Sequence, residues 1–188
     1  LDSTFAQAEY ARHGLNFERL WENVNRFLNE VPTRSSLTFI ITMNNLNVTG
    51  FQSLINSIYG LRQIYSKTYQ RVWFDTPILR KPEWQSLQLL PESYVDMLET
   101  AWAFMVSKME QPENPYKGFK DYEAHRLQRV IDWMREGSKL DPEYVTMQKA
   151  NFYKFFNEHD IRRGTNFTST FPEMIDFWKE CKYYAQTK

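Results

Sequence analysis

Three asparagines, Asn44, Asn45 and Asn47, close the apolar run Leu37 to Met43 in the stretch LTFIITMNNLNVTGF. Uncharged amides in such a place have two uses. As combined donors and acceptors they can hold the hydroxyls and ring nitrogens of a ligand. They can also hydrogen-bond the local backbone and shape a turn, and on pattern alone this is the weightier reading. A second polar group, Asp75, Thr76, Arg80 and Lys81, follows the next apolar run. Asp75 and Arg80 there are candidate substrate contacts, although Asp75 reads equally well as a structural partner for an arginine or a backbone amide. The pair Arg162-Arg163 can fork a carboxylate or phosphate, but short basic pairs are commonly solvated surface.

Other chemistry finds little support. Only six glycines occur, and neither common phosphate-loop spacing is among them, which argues against a nucleoside triphosphate site of that type. His13, His125 and His159 are scattered, without ligand spacing on a helix. The single cysteine, Cys181, excludes an internal disulfide and a thiolate cage, and its place on an apolar stripe makes it a packing residue.

The chain's 188 residues, 42% of them hydrophobic, suffice for a folded core. Lysine plus arginine and aspartate plus glutamate both number 23, so nothing in the charge draws the protein to nucleic acid or an anionic membrane. No apolar run approaches the roughly 20 residues of a membrane span, and the basic and apolar regions of a signal peptide are absent. A cytoplasmic location is the expectation, and the sequons Asn47-Val-Thr49 and Asn166-Phe-Thr168 are read as chance matches.

The elements that must position the polar groups follow from periodicity. Asn16 is a plausible N-cap for a helix to Glu30, with Phe17, Leu20, Trp21, Val24, Phe27 and Leu28 on its apolar face and Pro32 beyond its end. Leu37 to Met43 reads as a strand. Thr49 with Gln52 suggests a capping box for a helix ending near Tyr65, and Arg71 to Thr76 is a second strand, stopped by Pro77. Strand, helix, strand at this spacing predicts a parallel pair within an α/β sheet or part of a (β/α) barrel. From Pro91 onward the pattern is helical: a helix through Tyr94, Leu98, Trp102 and Met105; one through Leu127 and Met134, ended by Gly137; one opened by Asp141-Pro142; and one opened by Thr170 and boxed by Glu173. Loops are expected at 110–120 and 159–170. Ligands of parallel sheets gather beyond the carboxyl ends of the strands. Alternation puts Thr38, Thr42 and Asn44 on one face, and Arg71, Trp73 and Asp75 on one face of the other strand.

Three quoted stretches carry a resemblance: LDSTFAQAEYARHGLNFERLWENV, the strand Leu37 to Met43, and QRVWFDTPILRKPEWQSLQLLP. In order they resemble the second half of a radical S-adenosylmethionine enzyme barrel. Leu1-Asp2-Ser3 is similar to the close of its fourth strand, Arg12-His13-Gly14 to an arginine and glycine element, and Phe17 to Val24 to the helix that follows. FDTPILRKPEWQS and FNEHDIRRGTNFTSTFPE look like the subgroup called twitch-domain proteins. The resemblance implies that residues 1–90 are the C-terminal half of the barrel, an incomplete fragment with about two parallel strands, and that residues 91–188 are a mostly helical extension. It implies S-adenosylmethionine contacts from Ser3, Arg12, Asn44, Asn47 and Pro77, with Arg12 toward the cofactor carboxylate, the asparagines near ribose or adenine and Pro77 near the adenine. The family's CxxxCxxC loop, which holds a [4Fe-4S] cluster, is missing. This chain alone is therefore expected to hold no cluster and to be inactive, as a piece of a longer enzyme of unknown substrate. The alternative is a non-catalytic adaptor built on the half barrel. In either case the open strand edge should meet the missing N-terminal half, a second copy, or the chain's own C-terminal helices.

Overall fold

A computed structural model describes residues 1–31 and 34–187; Pro32, the expected helix terminator, lies outside them. A short helix that periodicity had not marked comes first, α1 (Phe5–Ala11). Asn16 then accepts from the Arg19 amide and opens α2 (Phe17–Glu30), as expected. β1 (Leu37–Ile40) and β2 (Val72–Asp75) pair in parallel, Leu37 with Val72 through Ile40 with Asp75, and α3 (Val48–Tyr65) is their crossover. Beyond Ile40 the expected strand goes on only as an irregular extension, with the Met43 amide donating to the Pro77 carbonyl at 2.7 Å. Phe39, Ile41 and Met43, with Val72 and Phe74, are buried in one core with Phe51, Leu54, Ile55 and Ile58 of α3. The opposite side of β1 is bare enough that Ile40 is 58% exposed.

Helices supply the rest: α4 (Val95–Ser107), α5 (Asp121–Arg135), α6 (Pro142–Arg163), α7 (Phe167–Thr170) and α8 (Ile175–Thr187). The architecture is a mostly helical α/β fold around two parallel strands. Its core is continuous across the expected boundary at residue 90, running from Tyr10 to Cys181.

Four local expectations are corrected. The Asn44–Asn47 turn already commits the chain to helix at Val48, so Thr49 is no cap; its hydroxyl accepts from Gln7 Nε2, and Gln52 donates to Asn56 instead. The box at Thr170 and Glu173 is absent because Pro172, which lacks an N–H, breaks the helix there; Asn166 caps α7 and α8 starts at Ile175. The loop expected from residue 159 begins later, since α6 runs to Arg163 and ends on Gly164 in the left-handed region (φ 62°). Gly137 ends no helix by that route. It sits in a 3-10 turn continuing α5, where a Cβ would lie 2.4 Å from the Gln88 carbonyl.

Arg71 does not share a polar face with Asp75. Its guanidinium turns back to the carbonyls of Leu28, Val31 and Ser35, at 2.6, 3.3 and 3.1 Å, and so satisfies the end of α2. Hydrogen bonds to a charged donor are the stronger kind, and stranded buried carbonyls are costly. Arg71→Met should therefore lower the unfolding free energy by about 2–4 kcal/mol in urea titration; a loss under about 1 kcal/mol would contradict this account.

Candidate functional site

A crevice of about 350 Å³ opens beyond the carboxyl end of β1, the place where parallel strands collect ligands. Its first side comes from the N-terminal run. Asp2, nearly buried, accepts from Arg12 Nε at 2.6 Å and Nη2 at 3.2 Å. The Arg12 side chain remains 51% exposed at the mouth. An exposed pair of this kind positions the guanidinium more than it stabilises the fold.

The floor is the turn after β1, and there the asparagines knit backbone. The Thr42 carbonyl accepts from both Asn44 Nδ2 and Asn47 Nδ2, each at 2.9 Å. Asn47 Oδ1 accepts from the Asn44 amide, and Asn44 Oδ1 from the Leu46 amide. Asn45 Nδ2 donates to the Trp84 carbonyl and ties the turn to the segment after β2. A strand ends in amides here because the sharp bend into α3 leaves buried backbone groups that only short amide side chains can reach. Two polar side chains of the lining, the Thr42 hydroxyl and the Gln85 amide, make no hydrogen bond among the described residues.

The second side comes from α6, through Phe155, Phe156, His159 and Arg163. Tyr10 of α1 donates to Asp160 Oδ1 at 2.8 Å and packs its ring 4.4 Å from that of His159. Burial, then the Asp160 carboxylate, pushes the Tyr10 phenol well above its usual range, so it stays a donor. His159 is shifted down, first by burial and then by the adjacent Arg163. In its neutral form Nε2 accepts from Arg163 Nη1 at 3.0 Å.

Of the residues singled out from sequence, Arg12, Thr42, Asn44 and Arg163 meet in this crevice. The others lie elsewhere. Ser3 is buried against α3 and donates to Gln7; Asn47 is consumed by the turn. Asp75 accepts from Arg126 at 2.6 Å and from the Thr76 amide. Pro77 and Arg80 are exposed, Lys81 pairs with Glu83, and Arg162 with Glu158. From sequence Asp2, Tyr10 and Gln85 have no site role, and His159 is one of three scattered histidines, since nothing local announces a bond between residues as distant as Tyr10 and Asp160. Cys181 is buried and its thiol pushed up by that burial, and no group of metal-ligating side chains occurs among the described residues. No helix among them is long and apolar enough to cross a membrane. Comparison with protein-family models, curated proteins and solved structures found no match.

Proposed function

We propose that the chain forms one side of a parallel (β/α) barrel of the radical S-adenosylmethionine type, and that the crevice beyond β1 contacts that cofactor. The observation that carries this reading is the meeting of Arg12 and Asn44 at the carboxyl end of a parallel strand, in the order the sequence resemblance implies. The fit to the cofactor is partial. The half-exposed Arg12 guanidinium, the Thr42 hydroxyl and the Gln85 amide suit a carboxylate and ribose hydroxyls, whereas Asn44 and Asn47 alike spend both Nδ2 and Oδ1 on the turn and only Asn44 reaches the lining. A [4Fe-4S] cluster does not fit these residues, because it needs three thiolates and Cys181 is the only one, buried. In this reading the cluster and the chemistry it drives belong to another segment or chain, and these residues bind and orient.

Calorimetric titration with S-adenosylmethionine tests the reading. Binding should be weak and should fall about tenfold or more, some 1.4 kcal/mol, in Arg12→Gln with the melting temperature checked in parallel. Equal affinity in the variant would remove Arg12 from the site. Anaerobic reconstitution should yield no iron or sulfide in the purified chain, and stoichiometric iron would overturn the assignment of the cluster elsewhere.

A second reading, a non-catalytic domain that docks a partner, is favoured by the groove beside β1. Leu15, Leu20, Val24, Leu37 and Ile40 line it, with a volume of about 460 Å³. Sedimentation showing a stable dimer abolished by Ile40→Lys would favour it over the first.

A further inference from the structure

The α6 side of the crevice contains a cation that the cofactor reading does not use. Arg163 lies in the crevice lining, and no carboxylate comes within 4.0 Å of its guanidinium among the described residues. Its neighbour Arg162 pairs with Glu158, and Arg12, the cation of the cofactor reading, commits Nε and Nη2 to Asp2. Asp2, Arg12 and Arg163 are the charged side chains of the lining itself, and the Asp160 carboxylate behind it is bonded to Tyr10 rather than to Arg163. The guanidinium is held rather than loose. His159, whose side chain is 8% exposed, accepts from Nη1, and the same ring is fixed by Tyr10 and by Thr165 on Nδ1 at 3.4 Å.

The surroundings of that charge define the rest of a ligand. Phe155 stands half-exposed at the rim with its ring 4.3 Å from that of Trp84, and Phe156, Leu46 and Leu79 complete an apolar wall. The same lining holds the two unengaged polar groups, the Thr42 hydroxyl and the Gln85 amide. A volume near 350 Å³ is that of a small-molecule site. We propose that the α6 arm is a substrate subsite for a monoanionic aromatic carboxylate: Arg163 takes the carboxylate, His159 positions Arg163, the Phe155 and Phe156 rings take the aromatic body, and Gln85 with Thr42 takes a ring hydroxyl. The proposal rests on the crevice being a ligand site, as the cofactor reading also holds; it shares Thr42 and Gln85 with that reading, whereas Arg163, His159, Phe155 and Phe156 belong to this subsite alone.

The probes are 3-(4-hydroxyphenyl)propionate and its amide, which share shape and differ in charge. Ligand-observed NMR titration of the whole chain should show the acid binding about tenfold or more tightly than the amide. Arg163→Gln, at an exposed helix end, should abolish that preference and leave S-adenosylmethionine binding unchanged. His159→Phe, which keeps a ring and removes the acceptor, should reduce the preference while Arg163 is still present, the mark of a positioning residue. Arg12→Gln should weaken S-adenosylmethionine and spare the acid. Failure of the cofactor arm alone would therefore strike the radical enzyme reading and leave the subsite standing. Equal binding of acid and amide, a preference that survives Arg163→Gln, no binding of either probe, or tighter binding of the dianion phenyl phosphate would each overturn the proposal.

Discussion

Glu123→Ala is expected to lower the unfolding free energy by about 3–5 kcal/mol, because it strands a buried guanidinium. Arg62 and Glu123 are both wholly buried, and they meet as a fork: Nη2 to Oε1 at 2.6 Å and Nη1 to Oε2 at 2.9 Å. Arg62 gives two further protons to the carbonyls of Val72 at 2.9 Å and Gly118 at 3.1 Å, and its guanidinium lies 5.2 Å from the Phe119 ring centroid and 5.5 Å from that of Phe74. Glu123 also accepts from the Lys120 amide that opens α5. One ion pair thus ties α3, β2, the 110–120 loop and α5 together. Such a pair adds little net stability over an apolar replacement, yet breaking it on one side is severe. The double variant Arg62→Met with Glu123→Leu should therefore be more stable than Glu123→Leu alone by at least about 1 kcal/mol. Its recovery should be incomplete, since the Gly118 carbonyl loses the Arg62 donor and the Val72 carbonyl keeps only Gln70 Nε2 at 3.3 Å. Equilibrium denaturation of the three proteins decides. A single-variant loss below about 1 kcal/mol, or a double variant no better than the single, would mean that the pair is not isolated from water.

Arg62 also shows where the sequence was legible and where it was not. The apolar stripe of α3 and the cap at Asn16 are local signals, read from a few adjacent residues, and they gave that helix's extent and the start of α2. The parallel pairing followed from the spacing of two apolar runs around one helix. An arginine inside an amphipathic helix, by contrast, reads as surface; its burial depends on Glu123, far along the chain, and no period encodes that. The same holds for the crevice. Asn44 could be named from its place at a strand end and Arg12 only through the resemblance, but Asp160 and His159 come from a helix whose docking on α1 is set by aromatic packing. Asn47 illustrates the opposite case: its residue type suits a ligand and a turn equally, and only the bond to the Thr42 carbonyl shows that the turn holds it.

Tyr10→Ala is expected to cost about 3–5 kcal/mol, roughly 10 °C in melting temperature for a chain of this size. Tyr10 is 4% exposed and is the residue through which α1 enters the aromatic cluster of α6 and α7. Its ring lies 6.0 Å from those of Phe156 and Phe167 and 5.3 Å from that of Phe171. Deleting it leaves a cavity walled by rigid rings that cannot collapse to fill it, which places the loss at the upper end for an aromatic residue. Tyr10→Phe keeps the ring and removes the hydroxyl. Asp160 still accepts from Thr165 Oγ1 and the Phe167 amide, each at 2.7 Å, so that variant should lose only about 1 kcal/mol. The contrast separates packing from hydrogen bonding. It also tests whether residues 1–90 and 91–188 fold as one unit, because a single cooperative transition should shift as a whole in Tyr10→Ala. If instead the transition splits and only one part moves, α1 is not held by α6, and the two sides of the crevice are not fixed relative to each other.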